Sequence, residues 1–147
     1  MTGDAAVQLG DRLGHTFADA DLLARALTHR SWANEHPPAE DNESLAFLGD
    51  AVLALVVGER LWRAEPAARV GVLTPRRAEL VSGANLARWA EQIGLGAHLR
   101  LGRGEQQSGG HARESVLATA LEAVLGVVYL EGDLAAARRA VAALALW

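Results

Sequence analysis

The chain has 147 residues and 15.5 kDa, half of them apolar, with no cysteine and a formal net charge of −4. That length fits one domain, and the missing thiols exclude a disulfide scaffold, a thiolate zinc site and a cysteine nucleophile. The uncharged run Ala51–Gly58 falls far short of the ~20 residues that span a bilayer. Met1-Thr2-Gly3-Asp4 has no basic stretch leading into an apolar one. A soluble, cytoplasmic protein with no membrane partner is therefore expected.

All fourteen basic residues are arginine, and Ala and Leu dominate the apolar half. These are strong helix formers, and residues that favour strands are few apart from Val. A sequence pI near 5.7 argues against a broadly basic nucleic-acid surface. An anionic partner would have to be met by a local patch.

In chain order, residues 1–8 read as a tail and 9–147 as the domain. Asp19 caps a helix through Leu22, Leu23, Ala26 and Leu27 to about Asn34. Tandem prolines in residues 35–41 break it. Asn42 opens a longer helix over 42–63, apolar on most faces through Ala51–Val57, which marks a buried central element. Residues 64–73 read as a loop. Thr74-Pro75 signals a helix start, and that helix runs through Leu80, Leu86 and Trp89 to Ile93, where Gly94 ends it. Residues 94–111 hold six glycines and read as irregular. A second long apolar helix covers 113–131 and stops at Gly132; Asp133 caps a last helix ending near Trp147. The sum is an all-α domain around two buried central helices.

Carboxylates inside those two helices carry the functional signal. Glu43 and Asp50 are seven apart and so share a helix face to within about 20°. Glu122 lies in the apolar run Leu117–Gly126. Carboxylates are rarely buried unless paired or bound to metal. Two readings are open on spacing alone: a hard-metal site for Mg²⁺ or Mn²⁺, or an Asp50 that bonds backbone and a Glu122 that reaches solvent.

The surrounding residues favour the first. Asn42-Glu-Ser-Leu-Ala-Phe-Leu-Gly-Asp-Ala-Val-Leu53 resembles the signature of the ribonuclease III family, Asn-Glu-Arg-Leu-Glu-Phe-Leu-Gly-Asp-Ser/Ala-Val-Leu. Thr28-His-Arg-Ser31, Leu73-Thr-x-x-Arg-Ala78, Asn85-Leu-Ala87, Leu99-Arg-Leu-Gly-Arg-Gly-Glu105, Arg113-Glu-Ser-Val-Leu-Ala118 and Leu121-Glu-Ala-Val-Leu-Gly126 resemble further blocks of that family in the same order. They cover about residues 9–142.

The resemblance implies a helical endonuclease domain that forms a homodimer, binds double-stranded or structured RNA and hydrolyses it with Mg²⁺ in RNA processing. It requires no organic cofactor. It also implies that Asp50 and Glu122 are metal ligands, with Glu43 beside them in catalysis. The departures are as informative. Ala46 replaces the signature's second Glu, Thr119 replaces an Asp one turn before Glu122, and Val70 replaces an acidic residue usual before the Leu-Thr pair. Two of four carboxylate ligands are missing by this alignment. Loss even of a group supporting a metal ligand costs roughly 10–100-fold, so weakened cleavage and weakly bound Mg²⁺ are expected, with Mn²⁺ as an alternative ion. The alternative is a catalytically inactive RNA-binding or ribosome-associated homodimer.

Phe47 is read either as core or, by the resemblance, as an anchor at the dimer interface. Arg76, Arg77 and Arg103 are candidates for phosphate contact, against the ordinary reading of solvated surface arginines. His29 is expected to order helix packing. No double-stranded-RNA-binding domain is expected within these 147 residues.

Overall fold

The structure is a computed structural model that describes residues 2–145. Eight α-helices carry the chain: α1 (Thr2–Leu13), α2 (Ala20–Ala26), α3 (Arg30–Glu35), α4 (Glu43–Ala64), α5 (Val70–Leu80), α6 (Gly83–Gln92), α7 (Arg103–Gln107) and α8 (Glu114–Leu144). Short 3₁₀ turns cover Leu95–His98 and Gly110–Ala112. The only strand-like feature among the described residues is an isolated bridge between Thr28 and Arg100. The expected all-α class holds.

The core is built where α4 crosses α8. Leu45, Val52, Leu53, Val56 and Val57 face Leu117, Leu121, Val124, Leu125 and Val128, all buried. The helices meet backbone to backbone. A Cβ at Gly49 would lie 1.7 Å from the Glu122 carbonyl oxygen, and one at Gly126 would lie 2.6 Å from that of Leu45. Only glycine permits this approach at both positions. By length and hydropathy α8 would pass for a membrane span, a length the uncharged run at 51–58 did not suggest. Its apolar surface is instead packed against α4, α6, α1 and α2.

Four expectations need correction. Residues 2–8, expected as part of a tail, belong to α1, which runs from Thr2 and buries Ala5, Leu9 and Leu13 in the core. The helix expected from Asp19 to Asn34 is two, because Thr28 leaves helical geometry. Its hydroxyl donates to the Ala24 carbonyl and the chain pairs with Arg100 instead. The Asp19 cap itself is present, accepting from the Leu22 N–H at 3.0 Å.

The helix expected to start at Thr74-Pro75 begins earlier, at Val70, so Pro75 lies inside α5. It ends at Leu80, and a new cap at Ser82, accepting from the Asn85 N–H, opens α6. Residues 94–111 are partly helical through α7 rather than wholly irregular. Gly94 is left-handed (φ 68°) and closes α6 as expected. Near the C-terminus, Gly132 and Asp133 interrupt α8 with non-helical angles, as the sequence implied; the end expected near Trp147 lies outside the described residues.

Candidate active site

The α4/α8 crossing sets the site. Asp50 follows Gly49 and Glu122 carries the carbonyl that Gly49 packs against. Both carboxyl groups are thereby held on the same flank of the crossing, and the two side chains share a hydrogen bond. Burial pushes the Glu122 carboxyl up to about 8, helped by that hydrogen bond and by the Asp50 charge. At neutral pH Glu122 thus keeps its proton. Asp50 itself is exposed, so the pair opens to solvent on the Asp50 side.

Glu43 does not join them. It is two turns back along α4, exposed, and 3.8 Å from the Arg30 guanidinium. It lines a separate concavity with His29, Arg30, Asn42, Ser115 and Thr119. Among the described residues no three His, Cys, Asp or Glu side chains come together as a metal cage. The reason lies in two positions. Ala46 sits between Glu43 and Asp50 on α4, three residues from one and four from the other, and its methyl is buried. Thr119 sits one α8 turn before Glu122 and lines the Glu43 concavity. The two residues that would bridge Glu43 to the Asp50–Glu122 pair carry no charge.

The donor set therefore fits a hard divalent cation in a limited way. Two facing carboxyl groups, one held protonated chiefly by burial, suit Mg²⁺ or Mn²⁺ that keeps several waters and takes further oxygens from a phosphate. They do not complete a shell.

The remaining candidates are dispersed. Phe47 is 82% exposed on α4, so the core reading fails. Arg76 is paired with Glu65 at 2.7 Å. Arg77 lies against Gly58 of α4 and is exposed, as is Arg103 at the start of α7. His29 caps α3: its Nδ1 accepts from the Ser31 N–H at 3.1 Å. Burial and then the Arg30 charge lower its pKa, which suits an acceptor. Val70 is exposed at the first position of α5 rather than in a loop.

Asn42 opens α4 without a side-chain cap. Its Nδ2 donates to the Ala26 carbonyl at 3.0 Å, and Asp41 accepts from the Glu43 N–H instead. Arg100 was read as a loop arginine. It donates to the Thr28 hydroxyl at 2.9 Å and lies over the Trp32 ring at 4.2 Å, locking the 94–111 segment to α2 and α3. The role of the Gly49–Gly126 contact was missed in the sequence. Two glycines in otherwise bulky buried helices were the available signal.

A family model described as ribonuclease-III-like matches residues 19–146. Curated relatives named Ribonuclease 3 include one from Pseudomonas putida, 51% identical over 136 residues, and one from Geobacter metallireducens, 49% identical over 141. These alignments take in 92% and 94% of this chain and 57% of each relative. The chain thus spans a little over half the length of the curated relatives it matches. Among solved structures, the nuclease domain of ribonuclease III from Campylobacter jejuni superposes with a TM-score of 0.86 at 37% identity, covering 93% of both chains; it is described for flexibility in the region involved in dimer formation. Dicer from Pichia stipitis matches 80% of this chain and 48% of its own, with a TM-score of 0.58 at 26% identity. With a family model over most of its residues and half-identical relatives over nearly all of them, the chain belongs to the ribonuclease-III-like family.

Proposed function

We propose that the chain is a homodimeric endoribonuclease domain that acts on double-stranded or structured RNA, with hydrolysis weakened by Ala46 and Thr119. The observation that carries this is the Asp50–Glu122 pair at the α4/α8 crossing, with uncharged residues one turn away on each helix. Names of the relatives support the RNA-cleaving class.

Asp50 and Glu122 would hold Mg²⁺ or Mn²⁺. The ion's chemistry there is to lower the pKa of a bound water and offset charge at the scissile phosphate. Glu122 must give up its proton for the ion to bind, so binding competes with the Asp50–Glu122 hydrogen bond. Glu43, on the far side of Ala46 and Thr119, orients Arg30 and the edge of the groove. Arg77 and Arg103 are the exposed candidates for phosphate contact. Arg76 reaches a phosphate only by leaving Glu65.

Dimerisation is supported by an apolar stripe. Phe47, Leu55 and Trp62 on α4 and Val70 and Val72 on α5 are all exposed, at 46–82%. A run of large apolar side chains on one surface marks an interface.

The test is incubation with long duplex RNA in Mg²⁺ and in Mn²⁺, beside an Asp50→Asn control. Slow cleavage, faster in Mn²⁺ and absent in the control, is expected, and Ala46→Glu with Thr119→Asp should accelerate it. Brisk Mg²⁺ cleavage that Asp50→Asn abolishes would show that the two missing carboxylates matter little. Salt-sensitive duplex binding without cleavage, with no Mg²⁺ site by calorimetry, would favour the non-catalytic RNA-binding dimer. Absence of salt-sensitive RNA binding would remove RNA as the ligand.

A further inference from the structure

The concavity beside Glu43 ends on a polar group that the fold leaves unpaired. Asn42 is buried at its floor, Ser115 and Thr119 of α8 form one wall, His29 stands opposite, and the Arg30–Glu43 pair lies at the mouth, around a volume of about 190 Å³. The Asn42 amide can face only one way. Its Nδ2 donates to the Ala26 carbonyl at 3.0 Å, which fixes Oδ1 at the other end. Asn42 is 2% exposed, and this Oδ1 is buried with no hydrogen-bond partner among the described residues. Buried acceptors are seldom left so. Beside it, His29 turns Nδ1 to the Ser31 N–H, so the neutral ring carries its hydrogen on Nε2.

We propose that this concavity seats a ribose of the duplex and that Asn42 Oδ1 accepts from its 2′-hydroxyl, which makes Asn42 a residue that tells RNA from DNA. The inference rests on the duplex-RNA reading above and names what part of the RNA this corner of the site reads.

The chemistry of the floor selects the hydroxyl. An unpaired acceptor needs a donor. Phosphate oxygens, ester oxygens and the sugar ring oxygen are all acceptors, so the 2′-hydroxyl is the one donor on an RNA backbone. A-form duplexes display these hydroxyls along a wide, shallow minor groove, while the bases stay stacked and paired. A 2′-hydroxyl also accepts, which suits the His29 Nε2–H and the Ser115 and Thr119 hydroxyls around it. A phosphate would gain nothing from Oδ1 and would meet Glu43 at the mouth. Position fits as well. Thr119 is three residues before Glu122, about 4.5 Å along α8, so the sugar seated here would belong to a nucleotide beside the phosphate at Asp50 and Glu122.

The experiment is equilibrium fluorescence anisotropy of the whole chain in Mg²⁺ with three labelled duplexes: RNA, the same RNA with 2′-fluoro sugars throughout, and the same RNA with inosine for guanosine. A gel run afterwards confirms that the strands are intact. The 2′-fluoro sugar keeps the A-form helix and removes the donor. Wild type should bind the hydroxyl duplex about tenfold more tightly than the fluoro duplex, the worth of a hydrogen bond whose loss strands a buried partner. Asn42→Leu should cut that preference to about twofold while leaving affinity for the fluoro duplex nearly unchanged, whereas a merely structural defect would weaken both duplexes alike. Because Asn42→Leu also gives up the bond to Ala26, Ser115→Trp, at an exposed position on the wall, supplies a second reading: it should fill the concavity and remove the preference to the same extent. Equal binding of the two duplexes by the wild type, or a preference that survives Ser115→Trp, would overturn the proposal and leave the duplex-RNA reading standing. A wild-type loss on inosine that Asn42→Leu abolishes would overturn it too, by making a base amino group the donor. Failure of the wild type to bind any duplex would remove the RNA reading itself, and the proposal with it.

Discussion

Replacing Gly49 with alanine tests the geometry on which the whole site rests. The added Cβ would stand 1.7 Å from the Glu122 carbonyl oxygen, where ordinary contact begins at 3.4 Å. The obstacle is main chain in the middle of a 31-residue helix, so no rotamer change relieves it and α4 and α8 must separate by about 1.7 Å. Overpacking a core typically costs 1–3 kcal/mol and occasionally more. With backbone on one side, about 3 kcal/mol is expected, against which alanine's better helix propensity returns about 1 kcal/mol. The net loss of about 2 kcal/mol corresponds to a fall of roughly 4–8 °C in melting temperature for a domain of this size.

Two companions sharpen the measurement. Gly71→Ala in exposed α5, where a Cβ meets nothing within 4 Å, should be neutral or stabilising. Gly126→Ala, 2.6 Å from the Leu45 carbonyl, should destabilise less than Gly49→Ala, and the double variant should fall short of the sum, because helices already parted leave room for the second methyl. Thermal unfolding followed by circular dichroism reads all four. If Gly49→Ala melts with Gly71→Ala, the helices are not in backbone contact, and the placement of Asp50 beside Glu122 loses its foundation.

Three further outcomes follow from other contacts. Burial alone would raise the Glu131 carboxyl, but hydrogen bonds from His15 and from the Ala18 and Asp19 N–H groups outweigh it and hold it below its ordinary 4.5. Its contribution is therefore complete above pH 4.5 and is lost as pH falls toward the folded-state value. Glu131→Gln should cost roughly 1–3 kcal/mol at pH 7, with the gap to wild type in urea denaturation narrowing as pH falls below 4.5. Asp133 holds φ 57°, a region costing roughly 1–2 kcal/mol for a residue with a side chain; Asp133→Gly should raise the melting temperature by a few degrees, and a fall would show that the Asp side chain repays its strain. Phe47→Ala, at an 82% exposed position, should leave monomer stability unchanged while weakening self-association by about 2 kcal/mol or more, read by sedimentation velocity over a concentration series.

The fold was legible where periodicity and capping act locally. Asp19, Gly94 and the Gly132-Asp133 break are all in place, because each is decided by a few neighbouring atoms. The boundaries that differ are set by something other than the local signal. Thr74-Pro75 carries the chemistry of a helix start, yet Val70 begins the turn and Pro75 is carried inside α5, a helix with no buried residue. Arg100 exchanges main-chain bonds with Leu27 and His29 and donates from its guanidinium to the Thr28 hydroxyl, 72 residues away, which cuts one expected helix into two. Among residues 3–8 only Ala5 is buried, and α1 meets the core chiefly through Leu9 and Leu13 beyond that stretch.

At the site, the spacing of Glu43 and Asp50 correctly put them on one helix, but spacing does not reveal which residues the second helix sets opposite. Glu122 reaches Asp50 and not Glu43 because the crossing point is Gly49, a fact about two helices together. The separation of Glu43 follows from Ala46 and Thr119, whose chemistry was readable in the sequence and whose consequence was not.

The glycine contact also bears on how a site of this kind can lose its charges. Because α4 and α8 are gauged by main chain, side chains at neighbouring positions are released from any duty in holding the helices apart. Ala46 is buried beside the crossing, where a carboxylate would be half-desolvated near Asp50 and Glu122, so an alanine there suits the scaffold better than a charged group would. Scaffold and reactivity are thus free to drift separately in this architecture. A chain carrying Ala46→Glu and Thr119→Asp should be the less stable one in chelator and should recover on adding Mg²⁺, which would tie its folding to the ion.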